Sequence, residues 1–147
     1  MRSPREKLGG YVILPRLIDK VRLHSRGQLP SEYVENLLGA DPTTLDGRFL
    51  IFTRLDAEEL RSKILSVDSD EEVLDWVERQ AGLRSSAEKQ EWAKTIESYQ
   101  ADAGRVAYRK RVYPDLALRV NVGALSVFDL IDMDEGRIPI PDQAGQE

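Results

Sequence analysis

One signature recurs along this chain and limits what it can fold into: a small polar residue, glutamate three places later, then apolar residues at helical spacing. Ser3-Pro4-Arg5-Glu6, Asp56-Ala57-Glu58-Glu59, Ser69-Asp70-Glu71-Glu72 and Ser85-Ser86-Ala87-Glu88 all carry it. Such a cap residue accepts a hydrogen bond from a free amide of the first turn while the glutamate reaches back, so each reads as a helix start. The stripes that follow agree: Leu60 and Ile64, then Val73, Trp76 and Val77, then Trp92, Ile96 and Tyr99. After Ser3 the expected helix is short, because Gly9-Gly10 ends it within about one turn.

The rest of the chain reads mostly the same way. From Pro15 onward Leu17, Ile18, Val21 and Ser25, with Leu14 before them, hold one helical face, and Arg16, Asp19, Lys20, Arg22 and Leu23 are expected to point away from it. Pro30-Ser31 opens a short stripe of Tyr33, Val34, Leu37 and Leu38, and Asp41-Pro42 is expected to open the next helix. LDGRFLIFTRL is apolar all round and could be a buried strand, but the spacing of Leu45, Phe49 and Phe52 predicts a helix. Beyond Tyr99 the pattern continues through Ala103 and Val106, which fits one long helix or two broken near Gly104, with Pro114 as the stop. LALRVNV alternates at period two, the pattern of a short strand without an evident partner. The proline-punctuated end, 137–147, is expected to be a mobile tail after a single domain of 1–136.

Composition removes whole classes of function. The 147 residues include no cysteine and one histidine, so no disulfide, thiolate nucleophile, cysteine zinc site or HExxH motif exists, and no metal or cofactor is expected. No apolar run approaches the ~20 residues of a membrane span, and YVIL is too short for a secretory signal, so the expectation is a cytoplasmic protein with no membrane role. The net charge of −5 is segregated: residues 1–29 carry seven basic and two acidic groups, 30–102 eight and seventeen, 103–122 five and one, and 123–147 one and six. Oppositely charged segments are therefore expected to meet within the fold or across a homodimer. A net acidic chain is a poor nucleic-acid binder, and none is expected as a partner.

The candidate ligand-binding residues cluster on the helix from Pro15. Arg16, Lys20 and Arg22 supply charge for an anionic group, Asp19 could orient its neighbours, and Asp46 and Arg48 could join if their helix packs alongside. The plainer reading is a solvated face, with Asp46 a cap and Arg48 in solvent. Gly9-Gly10 could let backbone amides approach an anion, although a glycine pair is more often only a turn. His24 reads as a helix-end residue near the C-terminal dipole, and only less readily as a general base. Trp76 and Trp92 read as core residues. Arg105, Arg109, Lys110 and Arg111, interleaved with Tyr108 and Tyr113, suit docking onto acidic segments better than nucleic acid. Asp129, Asp132, Asp134 and Glu135 lack the order of a calcium loop and read as the acidic end of a short helix on which Phe128 and Ile131 face inward.

SPREKLGGYVILPRLIDKVR, LDGRFLIFT followed by DAEEL, SDEEVLDWV and FDLIDMDEG together resemble a bacterial family known only as domain of unknown function 5069, over most of the chain to about Gly136. The resemblance implies a predominantly helical single domain in a bacterial cytoplasmic protein, and it carries over no catalytic or binding residue. The combined expectation is an all-α, single-domain helical bundle of about six or seven helices. Its expected role is a non-enzymatic binding or regulatory module contacting an anionic small molecule or an acidic protein surface. The alternative is an enzyme using Asp19, Lys20 and His24 as acid–base groups on an anionic substrate.

Overall fold

The computed structural model describes residues 1–140, and these form nine helices and one two-stranded hairpin. Seven of the helices have eight or more residues, in line with the sequence pattern. By its internal contacts the chain divides into two compact units, 1–92 and 93 onward.

The first unit opens with a departure from the cap rule. Ser3 takes the amides of Arg5 and Glu6 on its hydroxyl and carbonyl, but a turn results where a helix was expected. Gly9 and Gly10, at φ 57° and 85°, then close a tight antiparallel hairpin between β1 (Lys7–Leu8) and β2 (Tyr11–Val12). Two consecutive left-handed residues match strand twist, and this local preference overrides the start signal. Ile13 follows at φ 75°, a conformation that costs a β-branched residue ~1–3 kcal/mol. Complete burial of Ile13, and the bond from its amide to the Pro4 carbonyl, hold it there and aim the chain into α1 (Leu14–Ser25).

Leu14, Leu17, Ile18 and Val21 are fully buried along α1, as their spacing requires. The next stripe gives only a single turn, α2 (Ser31–Val34), and Asp41-Pro42 gives a turn instead of a helix start. The true cap of α3 (Leu45–Thr53) is Thr44, whose hydroxyl accepts from the Gly47 amide and donates to the Asp41 carbonyl. α4 (Ala57–Ser66) and α5 (Asp70–Ala81) begin at the expected caps Asp56 and Ser69, and α4 packs on both α1 and α5. α6 (Ser86–Glu97) begins with a reciprocal box between Ser85 and Glu88. Within this unit Phe52 stacks on Trp92 at 4.5 Å and nearly parallel, and Tyr11 meets both Phe49 and Phe52 edge-on.

In the second unit the pattern beyond Tyr99 resolves into two helices. α6 ends at Glu97, and α7 (Ala103–Val112) starts afresh at the Asp102 cap. Pro114 both stops α7 and opens α8 (Pro114–Ala117). LALRVNV is not a strand: after α8 it runs as turns, with Leu116 and Val122 buried beside Leu130 of α9 (Val127–Asp134). Arg137 and Ile138 donate to the Asp132 carbonyl, and Ile140 packs against the same cluster. The remainder of the expected tail, 141–147, lies outside the described residues.

Gly47 gives this description a sharp test. A Cβ there would lie 1.9 Å from the Asp41 carbonyl oxygen. Alanine in a helix ordinarily stabilises by ~1 kcal/mol over glycine. Gly47→Ala should instead destabilise by about 3 kcal/mol or more in urea unfolding, since neither backbone can yield cheaply. A variant as stable as the parent would contradict the packing of the Asp41–Gly47 turn.

Candidate functional site

The charged residues of α1 are not a solvated face. Arg16 is 2% exposed and Lys20 6%, against the expectation that both point outward. The physical reason is that α1 is covered on more than its apolar stripe: the N-terminal segment and the turn before α3 reach the polar side and supply partners. Arg2 runs along it, donating its backbone amide, Nε and Nη2 to the Asp19 carboxylate and its Nη1 to Asp70 of α5. One guanidinium thereby bridges two helices. Arg16 donates Nη1 to the Arg2 carbonyl and lies 5.6 Å from the Tyr33 ring centroid.

Lys20 and Asp46 do meet. Lys20 Nζ is 2.5 Å from Asp46 Oδ1, with the lysine side chain 8% and the aspartate side chain 0% exposed. The second oxygen, Oδ2, accepts from the amide of Leu38, which sits at φ 53°. Asp46 is therefore no cap; it joins α1, α3 and the turn between them. Arg48, two residues on, is half-buried and not in open solvent. Arg22 donates to the Val67 carbonyl and lies 3.8 Å from Asp70.

The three groups considered for acid–base chemistry are held apart by separate partners: Asp19 by Arg2, Lys20 by Asp46, and His24 by Arg61 of α4, at 2.5 Å. A guanidinium can only donate, so His24 Nδ1 accepts and this contact assigns the ring proton to Nε2. In that tautomer neither nitrogen has a lone pair available to take a proton from a substrate.

What remains accessible on α1 is its far end. Arg22, Ser25 and Arg26 face Ile64, Leu65, Val67 and Asp68 across a cleft of about 230 Å³. Arg22 is anchored on the Val67 carbonyl, whereas the exposed Arg26 side chain has no partner among the described residues.

A second buried polar cluster escaped the sequence reading. Lys89, 7% exposed, donates to the Gly9 carbonyl at 2.6 Å, approaches Glu78 at 3.5 Å and lies 4.4 Å from the Tyr11 ring centroid. The glycine pair thus presents a carbonyl to a lysine and no amides to an anion. Burial pushes the Tyr11 phenol above its ordinary value, against the pull of Arg84, and its hydroxyl has no hydrogen-bond partner among the described residues. On sequence Lys89 is one polar residue on an amphipathic helix, and only the hairpin folded against it makes it special. In the second unit Arg109, 3% exposed, donates to the carbonyls of Val122 and Leu125, so the centre of the basic–aromatic cluster holds a loop. Phe128 and Ile131 face inward as expected, but Asp132 is buried with them and pairs with Arg137. Among the described residues no three acidic or histidine side chains are grouped to hold a metal ion, and no helix is long and apolar enough to cross a membrane.

The Arg2 bridge has a pH signature. Its hydrogen bonds hold the Asp70 carboxyl below the ordinary aspartate value, outweighing the opposite effect of burial, with Arg22 adding to the attraction. Above that ordinary value, about pH 4, both folded and unfolded states carry the charge and the bridge stabilises fully. As pH falls through the depressed folded value, that contribution is lost. Arg2→Met should cost about 1–2 kcal/mol at pH 7, and the difference from the parent should shrink steadily below about pH 4. Urea melts across that range that show a constant difference would remove the bridge as its source.

No curated protein matches the chain. A family model, domain of unknown function DUF5069, matches residues 1–137, which takes in the hairpin, the Arg2 bridge and the Lys20–Asp46 pair. The chain belongs to that family, DUF5069.

Proposed function

We propose that the chain is a non-enzymatic binding module that receives acidic side chains of a protein partner at the far end of α1. The observation that carries this reading is the cleft holding one anchored guanidinium, Arg22, beside one, Arg26, that has no partner among the described residues. Arg16 and Lys20, expected to share in the contact, are engaged inside the fold, and they support the cleft by fixing α1. At about 230 Å³ the cleft is smaller than the ~300–1,000 Å³ of pockets that enclose whole small molecules. It suits a carboxylate projecting from a surface better than a complete metabolite. Two opposing influences are present: the C-terminus of α1 disfavours an anion by ~0.3–1 kcal/mol, and Asp68 lies on the cleft wall. The enzyme reading has less support, because Asp19, Lys20 and His24 are each committed to a different structural partner.

Titration of hexaglutamate, with inorganic phosphate alongside, tests the proposal. Arg26→Ala should weaken peptide binding by up to roughly fivefold, as for an exposed ion pair, and Asp68→Asn should strengthen it. Both effects should fade as salt is raised. Peptide binding indifferent to both substitutions would contradict the proposal, and saturable binding of phosphate in preference to peptide would replace it with a small-anion site.

A further inference from the structure

α4 and α5 pack together and bury Leu60, Ile64, Val73 and Val77, and their exposed residues leave a groove of about 620 Å³. Glu58, Glu59, Ser62 and Lys63 come from α4, with Trp76 and Gln80 from α5. Ser66 of α4 completes the lining and donates its hydroxyl to the Lys63 carbonyl, whereas among the described residues the other six side chains make no hydrogen bond, ion pair or ring contact. That separates the groove from the charged surface of α1, where Arg2, Asp19, Lys20 and Asp46 all have partners.

The lining selects its occupant. An indole face is electron-rich and attracts cations, and the glutamates add two formal charges with oxygen acceptors. The groove's own lining carries two carboxylates, Glu58 and Glu59, against one ammonium, Lys63, so its net charge favours a cation over an anion, with Lys63 opposing. An uncharged apolar ligand would cover Glu58 and Glu59 without partners, at a penalty that its contact with one indole does not offset. A compact divalent ion has no use for tryptophan. Groove volume falls in the range of sites for small organic molecules, and its lining, drawn from two helices, sets the carboxylates of α4 and the indole of α5 as separate points of contact. We propose that this groove binds a linear organic cation with two or more ammonium groups, one ammonium against the Trp76 indole and another at the Glu58 and Glu59 carboxylates. The site is separate from the α1 cleft and has the opposite charge preference, so it stands or falls independently of that reading.

The indole N–H resonances of the full chain, labelled with ¹⁵N, report on it directly. Trp76→Phe identifies the Trp76 signal, and Trp92, stacked on Phe52, serves as an internal reference. Spermidine at constant ionic strength should shift the Trp76 signal saturably and leave Trp92 in place. Glu58→Gln with Glu59→Gln should weaken the response by roughly tenfold, since two exposed charge contacts are removed from an outer helix face without touching the core. A Trp76 response that is absent, unsaturable or matched by sodium chloride would overturn the proposal, as would one undiminished in the double glutamine variant. Tetralysine shifting Trp76 saturably where spermidine does not would also overturn it, and would assign the groove to a basic peptide.

Discussion

Taking Lys20 and Asp46 out of water is costly, and the packing of α3 and the turn before it on α1 follows from meeting that cost. Each ion buried this deeply carries a desolvation penalty of several kcal/mol, which the attraction between them only roughly cancels. Such a pair adds little net stability over well-packed apolar residues, but separating the partners is severe, about 3–5 kcal/mol. It therefore specifies an arrangement. α3 must lie where Asp46 reaches α1, and the turn before it must bring the Leu38 amide to the second carboxylate oxygen, even at φ 53°. Thr44 and Gly47 then allow the chain to pass close enough over the start of α3.

The segregation of charge along the sequence finds its use in the same way. Basic residues of the first thirty positions meet carboxylates of the following acidic stretch: Arg2 with Asp70, Lys20 with Asp46, Arg22 near Asp70. The hairpin is fixed by the complementary contact of Lys89 with Gly9 and Glu78. Once these are made, the charged groups left to act on other molecules lie away from the face that looked most functional. Among the described residues these include Arg26 beside the α1 cleft and Glu58 and Glu59 at the groove of α4 and α5.

Helix starts at Asp56, Ser69 and Ser85 were legible because a cap and its glutamate are local, needing nothing beyond four residues. The same signal misled at Ser3, where two left-handed glycines six residues later control the backbone. Period-two alternation in LALRVNV failed for lack of a pairing strand, and Leu118, 72% exposed, shows that its apolar positions do not share one face. Lys20 and Asp46 do come together when α3 packs beside α1, yet the orientation of the charged residues on α1 was not legible. A 3.6-residue period tells which residues share a face of one helix, not how many other segments will cover it. Arg16 and Lys20 read as outward only until Arg2 and the turn before α3 are laid over them. Lys89 and Tyr11 form a contact across 78 residues of chain, and nothing local announces it.

The measurement that tests the central claim most directly is a double-mutant cycle on Lys20→Met and Asp46→Asn, read by urea unfolding at pH 7. Each single substitution leaves a buried polar or charged group without its partner and should cost about 3–5 kcal/mol, and the pair together should cost far less than the sum. A coupling energy above about 1.5 kcal/mol is the predicted result. Single variants within about 0.5 kcal/mol of the parent, adding without coupling, would mean that α1 and α3 are held by their apolar contacts alone and that the buried pair specifies nothing.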